Sequence, residues 1–390
     1  MPDFSAVKNA PDISFIDYKT ISDVRGEMVA DFEDYMTQAT GRTVTLARAS
    51  ERRMELYAAA AQIYQAMQFI DRGGKQNLLK YSYSEFLDNL GLWKRVVRLP
   101  AKAANTTLRF TLSADRTAAV AIPQGTRVSA GATAYSGAAI YFHTTEYAEI
   151  PAGETTVDVP AVCTTPGTEG NGLAIGELST LVDPIPYVAS VSNTTATEGG
   201  AEIESDDDLA ERIFLAPSAY TAAITEDGYV YKVKEYNAAI GDVRVTSDQA
   251  AGTVDIVFIM ANGATPGTEM IDGVTAHLNT RANRAMNDLI TVAAPAEVNY
   301  SINFTYYINR SDSARAVTIQ EAVQQAVGAY TAWQRMIGRD INPDELRAKV
   351  KAAGAKRLVI TAPEYAVVPK TQVSALTGTP VVTYGGLEDD

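Results

Sequence analysis

The sequence predicts an α+β multidomain protein: an N-terminal helical bundle segment, a β-barrel or sandwich domain, and two small C-terminal α+β domains. Three observations carry that class. Between Leu46 and Ile70 the apolar residues recur at spacings of three and four, the signature of an amphipathic helix. Residues 95–200 are rich in Thr, Val, Ala and Gly and alternate apolar with polar residues in short runs, as antiparallel strands do. Beyond residue 208, helical and extended patterns alternate, which is how small α+β units read. The expected division is 1–93, 94–205, 206–296 and 297–390. A chain of 390 residues is long enough for several domains, each burying its own core.

Residues 1–20, with Pro2 and Pro11, read as an extended arm. Ser22 or Asp23 is expected to cap a helix bearing Val24, Met28, Phe32 and Met36, with Gly41 as its stop. The next helix holds the long stripe: Leu46, Ala49, Arg53, Leu56, Ala60, Ile63, Met67 and Ile70, widened by Tyr57 and Tyr64 and ended by Gly73-Gly74. Two roles are open for it, a helix packed inside its own domain or a seam offered to other chains. The length and narrowness of the stripe, and the shortage of neighbouring helices, favour the seam. Arg53 would then set register, as buried polar seam residues do. A third, short helix follows, with Ser82 and Glu85 as a capping box, Phe86, Leu87 and Leu90 as its apolar face, and Gly91 as its stop.

In the β-rich part, strands are expected at Thr107–Leu112, Ala118–Ile122, Thr155–Val159, Leu178–Val182 and Ile185–Val191, with turns at Pro123-Gln124-Gly125 and Pro151-Ala152-Gly153. Cys163 is expected to point into the core. Further on, helices are predicted at Leu209–Leu215, Asp227–Tyr236 and Met270–Asn283, and strands at Asp242–Thr246, Thr253–Met260 and Leu289–Val292. Asn299–Ile308 reads as one strand and Thr318–Met336 as a helix. Another helix starts at Asn342-Pro343, proline being suited to the first helical position. Strands at Arg357–Thr361 and Pro380–Tyr384 complete the pattern, and Glu388-Asp389-Asp390 reads as a solvated tail. The two C-terminal units read as distant repeats of one plan.

Lys and Arg number 33 against 47 Asp and Glu, a formal charge of −14. Such a surface repels phosphate backbones and anionic lipid, so neither nucleic acid nor membrane is an expected partner. One cysteine excludes an internal disulfide framework or a multi-cysteine zinc site. The first residues lack the basic and apolar regions of a signal peptide, and no run approaches the length of a membrane span. The expectation is a soluble protein made in the cytoplasm.

The chain carries no phosphate-loop, zinc-protease, nucleophile-elbow or paired-cysteine motif. Its two histidines, His143 and His277, are assigned to structural or surface roles. The acidic run Glu202, Glu204, Asp206, Asp207, Asp208 lacks the alternating spacing and glycine of a calcium loop; its simpler role is a helix start. Gly170, Gly172 and Gly176 precede an extended run and not a helix, unlike a dinucleotide fingerprint. No catalytic residue, cofactor or metal is therefore assigned.

The most specific stretch runs from Gly167 to Phe214. Four glycines fall close together at Gly167, Gly170, Gly172 and Gly176, then two extended runs broken by Pro184 and Pro186, then Glu198-Gly199-Gly200, then an acidic helix start at Glu204-Ser205-Asp206-Asp207-Asp208. Ser205, three residues before Asp208, suits an N-cap. This stretch resembles the central motif of the baseplate J-like family, wedge proteins of contractile phage tails and related injection machines. The matching residues are Gly170 and Asn171, the Pro184–Val191 run, Asn193, Gly199, Gly200, Glu204, Ser205, Asp207, Glu211 and Arg212. The segments IPQGTRVSAG, Tyr141–Thr145 and IPAGETTVDVPAVCTTPGTEGNG match the family's barrel domain.

What the resemblance implies is an architectural role without catalysis. Relatives pair two copies with a second wedge protein through a core helical bundle. Neighbouring wedges close a six-fold ring around the hub, in contact with sheath-initiator and hub proteins. Receptor engagement then changes the ring and releases sheath contraction. On that reading Leu46, Arg53, Leu56, Ile63, Met67 and Ile70 form the bundle interface. The competing classes are a β-rich receptor-binding or adhesin tail protein and a tail-associated hydrolase. Neither a repetitive distal β part with a trimerising segment nor an acid/base set is visible.

Overall fold

The computed structural model describes residues 4–130, 139–220, 225–248, 251–280, 283–284 and 288–389. The described chain divides into two compact units, one of residues 1–98 with 205–214 and one of 99–204 with 215–390.

The first unit is helical. Its elements are α1 (Phe4–Lys8), α2 (Ile21–Thr40), α3 (Glu51–Lys75), α4 (Ser84–Trp93) and α5 (Asp206–Leu215). The expected extended arm thus contains a short helix. Thr20, not Ser22 or Asp23, caps α2, and Asp23 completes a reciprocal capping box with it. Gly41 stops the helix in the left-handed conformation. α3 begins one residue after its cap Ser50, whose hydroxyl accepts from the Arg53 N–H, so Leu46 and Ala49 lie before the helix. Gly73 and Gly74 do not end it; they sit in its last turn. The box expected from Ser82 and Glu85 is absent, since α4 starts one position too late and its cap residue Tyr83 makes no side-chain bond. α5 belongs with these helices, because Asp206 accepts the Ser84 N–H at 3.0 Å and Ile213 packs on Gly91.

The second unit holds three large cores, and a small buried cluster of Val257, Ile259, Ile337 and Val373 joins the second of them to the third. The first belongs to a six-stranded sheet of order β7-β3-β4-β6-β1-β8, curled until its edge strands meet. Its strands are β1 (Asn105–Leu112), β3 (Arg127–Ala130), β4 (Tyr141–Thr144), β6 (Thr156–Cys163), β7 (Leu178–Leu181) and β8 (Val188–Asn193), with the small pair β2 (Val120–Ile122) and β5 (Ala148–Ile150) beside it. β1 shows why this is a barrel wall: Thr106, Leu108, Phe110 and Leu112 are buried, and the residues between them are not. Cys163 lies in this core, and burial pushes its thiol pKa up.

The second core lies among α6 (Glu226–Tyr236), β9 (Ile240–Asp248), β10 (Thr253–Met260), α7 (Thr268–Leu278) and β11 (Leu289–Ala293). β10 is central, antiparallel to β9 and parallel to β11 across the α7 crossover. The third core is built from β12 (Ala296–Tyr300), β13 (Asn303–Asn309), α8 (Ala316–Gln334), α9 (Pro343–Ala352), β14 (Arg357–Ala362), β15 (Gln372–Leu376) and β16 (Val381–Glu388). The single strand expected over Asn299–Ile308 is two: β12 pairs with β15, and β13 with β14 and β16. β15 was not predicted. Both three-stranded sheets have a central strand with one parallel and one antiparallel neighbour. In the second sheet, however, the central strand comes first in sequence and two helices precede its antiparallel partner, so the units are not sequential repeats. The acidic tail is anchored: Glu388 closes β16 and pairs with Arg357, and Asp389 pairs with Arg310. Asp390 lies outside the described residues.

Candidate assembly site

The glycine-rich stretch forms a hydrogen-bonded knot at the rim of the barrel. Asn171 and Gly200 pair reciprocally: the side-chain N–H₂ donates to the Gly200 carbonyl at 2.8 Å and the side-chain oxygen accepts the Gly200 N–H at 2.9 Å. An amide side chain thus imitates a strand partner. A Cβ at Gly200 would overlap the Gly167 carbonyl oxygen and stand 2.8 Å from Asn171 Oδ1, so the two loops approach only because no side chain is there. Gly170 packs on Cys163 and Ala104.

Asn193 joins the barrel's edge strands. Its side-chain oxygen accepts the N–H groups of Gly176 and Leu178, each at 3.0 Å, and its N–H₂ donates to the carbonyls of Ala174 and Thr195. The residue is 1% exposed, and its side chain supplies at the β7/β8 junction what a backbone ladder supplies elsewhere.

Glu198 was read only as part of a chain break, yet it does the most. Its carboxylate accepts the N–H groups of Gly267 at 2.8 Å and Met270 at 2.9 Å, at the start of α7. Gly267, the cap residue of that helix, offers no side chain, so the barrel loop caps the helix from sixty-nine residues away. The neighbouring Gly199 carbonyl accepts the buried Asn237 side chain at 2.8 Å, where α6 ends. Glu269 reaches back to the hydroxyls of Thr107 and Thr195. The Lys102 ammonium lies 3.9 Å from the centre of the Tyr236 ring, and burial lowers its pKa. The barrel and the middle sheet are thereby fastened by polar groups from both. Sequence reasoning missed Glu198, Asn237 and Glu269. The available signal was the Gly267-Thr268 start of α7, a helix without a local cap.

Glu204 is 2% exposed; its carboxylate accepts the Leu99 N–H at 2.9 Å and its own N–H donates to the Leu99 carbonyl. In the helical unit, Ser205 caps α5 by accepting the Asp208 N–H. Asp207 pairs at the surface with Lys8. Arg212 is 2% exposed and donates to the Val97 carbonyl at 2.7 Å. The five acidic residues from Glu202 to Asp208 do not converge: Glu202 binds Thr168, and Asp206 binds Ser84 and Arg98. Among the described residues no group of three His, Cys, Asp or Glu side chains could hold a metal.

On α3, Arg53 is used locally, donating to Tyr57 Oη and to the Leu46 carbonyl, each at 3.0 Å. Leu46, Leu56 and Met67 are half-buried, while Ile63 is 46% and Ile70 63% exposed. Ala60 is fully buried, so one end of the stripe serves the chain's own fold and the other faces out.

Three models of one family match the chain: the Baseplate J-like protein barrel domain over residues 107–200, the Baseplate J-like central domain over 223–294, and the Baseplate J-like protein C-terminal domain over 302–379. The chain belongs to the baseplate J-like family. As a member it is a structural protein of the baseplate kind. The matched ranges fall one on each of the three cores of the second unit. Among curated proteins, Baseplate protein J of Escherichia phage P2 is 28% identical over 202 residues, which are 52% of this chain and 66% of that protein. The chain thus spans just under two thirds of that relative's length. Among solved structures, the cryo-EM structure of the anti-feeding prophage (AFP) baseplate, 6-fold symmetrised, aligns over 90% of both chains with a TM-score of 0.36 and 12% identity. That level indicates neither a shared arrangement nor shared partners.

Proposed function

We propose that this baseplate J-like protein is a wedge subunit of a contractile-tail baseplate and resides there in the assembled particle. It joins a second copy of itself and a second wedge protein through its N-terminal helices. Neighbouring wedges close a six-fold ring around the hub and in contact with the sheath initiator, and the ring passes the receptor signal to the sheath as a shift between two assembled states. Catalysis has no part in this reading.

The observation that carries it is where apolar surface is left uncovered. More than half of the exposed large apolar side chains among the described residues lie within residues 1–98, a quarter of the chain. They include Met54, Ile63, Phe69 and Ile70 on α3 and Trp93, 88% exposed, at the end of α4. Surface of that kind, concentrated in one module, marks protein–protein contact. Family membership supplies the context, a subunit whose domains meet others of their kind.

Native mass spectrometry of the chain co-expressed with its genomic neighbours tests the proposal. Two copies with one partner protein are expected. A monomer or homotrimer indifferent to its neighbours would favour the receptor-binding reading instead.

A further inference from the structure

β10 is apolar on both faces. Ile256 and Phe258 belong to the core of the central domain, while Val257 and Ile259, which alternate with them, point the other way and are buried as well. A strand buried on both sides needs a second covering layer, and the C-terminal domain supplies it. Val257 and Ile259 cluster with Ile337, from the segment after α8, and with Val373 of β15.

That segment is itself held stiffly. Gln334, fully buried, donates to the carbonyls of Arg339 and Asp340, each at 3.1 Å, and its own carbonyl accepts the Ser374 hydroxyl at 2.8 Å. The Gly338 N–H donates to the Gln372 carbonyl at 2.8 Å, and Gly338, at φ 70°, lies against the Lys370 backbone. The Ile337 N–H donates to Asp242 Oδ2 of the central domain at 3.0 Å.

Arg335 completes the joint. Its Nε donates at 2.8 Å to the carbonyl of Gly263, in the turn after β10. One Nη donates to the Ser374 carbonyl at 2.8 Å, and the other to Glu297 Oε1 at 2.6 Å. A single planar guanidinium thus ties three segments drawn from two domains, and its rigid fork sets their angles as well as their distances.

We infer that the central and C-terminal domains are one rigid arm, with Arg335 as the residue that positions one against the other. A displacement imposed on either domain is carried to the other. The two match separate family models, and two such domains would otherwise move independently; the apolar cluster and the fork remove that freedom. This rigidity is a property of the chain by itself and stands apart from the assembly proposed above.

Spin labels on the full chain test it. Ala276 on α7 and Gln324 on α8 are exposed and lie in different domains, whereas Gln324 and Lys351 on α9 are exposed in the same one; the native Cys163 is buried. With Ala276→Cys and Gln324→Cys as the interdomain pair and Gln324→Cys with Lys351→Cys as the reference pair, double electron–electron resonance should give both distance distributions the same width. Arg335→Ala should at least double the interdomain width and leave the reference unchanged. Arg335→Lys, which keeps the charge and loses the fork, should widen it likewise. An interdomain distribution broader than the reference in the parent chain overturns the rigid arm, whether or not any variant folds. Parental width in Arg335→Ala overturns the role assigned to Arg335, and parental width in Arg335→Lys overturns the fork as its cause.

Discussion

Single residues at the barrel rim act by filling hydrogen-bonding positions that the backbone leaves empty. Glu198→Ala removes the carboxylate that accepts the Gly267 and Met270 N–H groups at the start of α7, so a loss of about 1–2 kcal/mol is expected, read as a lower urea midpoint with faster exchange at Gly267 and Met270. Asn193→Ala withdraws four bonds from a fully covered site, and roughly 2–4 kcal/mol should be lost, chiefly in the barrel. Asp242 is the opposite kind of residue. Burial raises its carboxyl pKa, although it accepts the Ile337 N–H at 3.0 Å and Arg244 lies nearby. A raised folded-state value means that the native state holds the proton more tightly than the unfolded chain does. The stabilising contribution is therefore full below the ordinary carboxylate range, near pH 4, and lost as pH rises through the folded value. Asp242→Asn keeps an acceptor for Ile337 and carries no charge, so its melting temperature at pH 7 should exceed that of the parent. The gap should close on acidification below about pH 4.

At the scale of elements, the Gly199-Gly200 turn and α3 behave differently under substitution. Gly200→Ala places a methyl group against the Gly167 backbone, which cannot yield as a side-chain end would; a loss of roughly 2 kcal/mol or more is expected, with the barrel melting earlier. On α3, Leu56→Asp with Ile63→Asp should abolish complex formation with co-expressed neighbours and leave the strand signal of the barrel in circular dichroism unchanged. Element prediction was sound where a pattern was long and one-sided. The strand Thr253–Met260, the Asn342 cap with Pro343, and the Ser205 cap of α5 were all legible, because the determining groups lie within a few residues of one another. It failed where a distant group replaced a local signal. Gly73-Gly74 resembled a helix stop, yet both lie inside α3, with Gly74 against the ring of Phe15. Asn299–Ile308 looked continuous, and the chain changed sheets within it because β15 and β16 take different partners.

At the scale of the molecule, the sequence determined the class of parts and their order: helices, a Thr- and Val-rich barrel, then two α+β units, together with the acidic surface and the motif that matched the family. These depend on periodicity, turn chemistry and composition, which are properties of neighbouring residues. Tertiary structure alone decided what the motif does. Asn171 mimicking a strand, Glu198 capping a helix sixty-nine residues away and Asn237 holding Gly199 are contacts between segments whose separation in sequence carries no trace of their meeting. The same holds for α5, placed among the first helices by Asp206 and Ile213 and not by its position in the chain. Which apolar stripe is covered and which is left open also follows only from packing, since an exposed seam and a buried one share a single helical pattern.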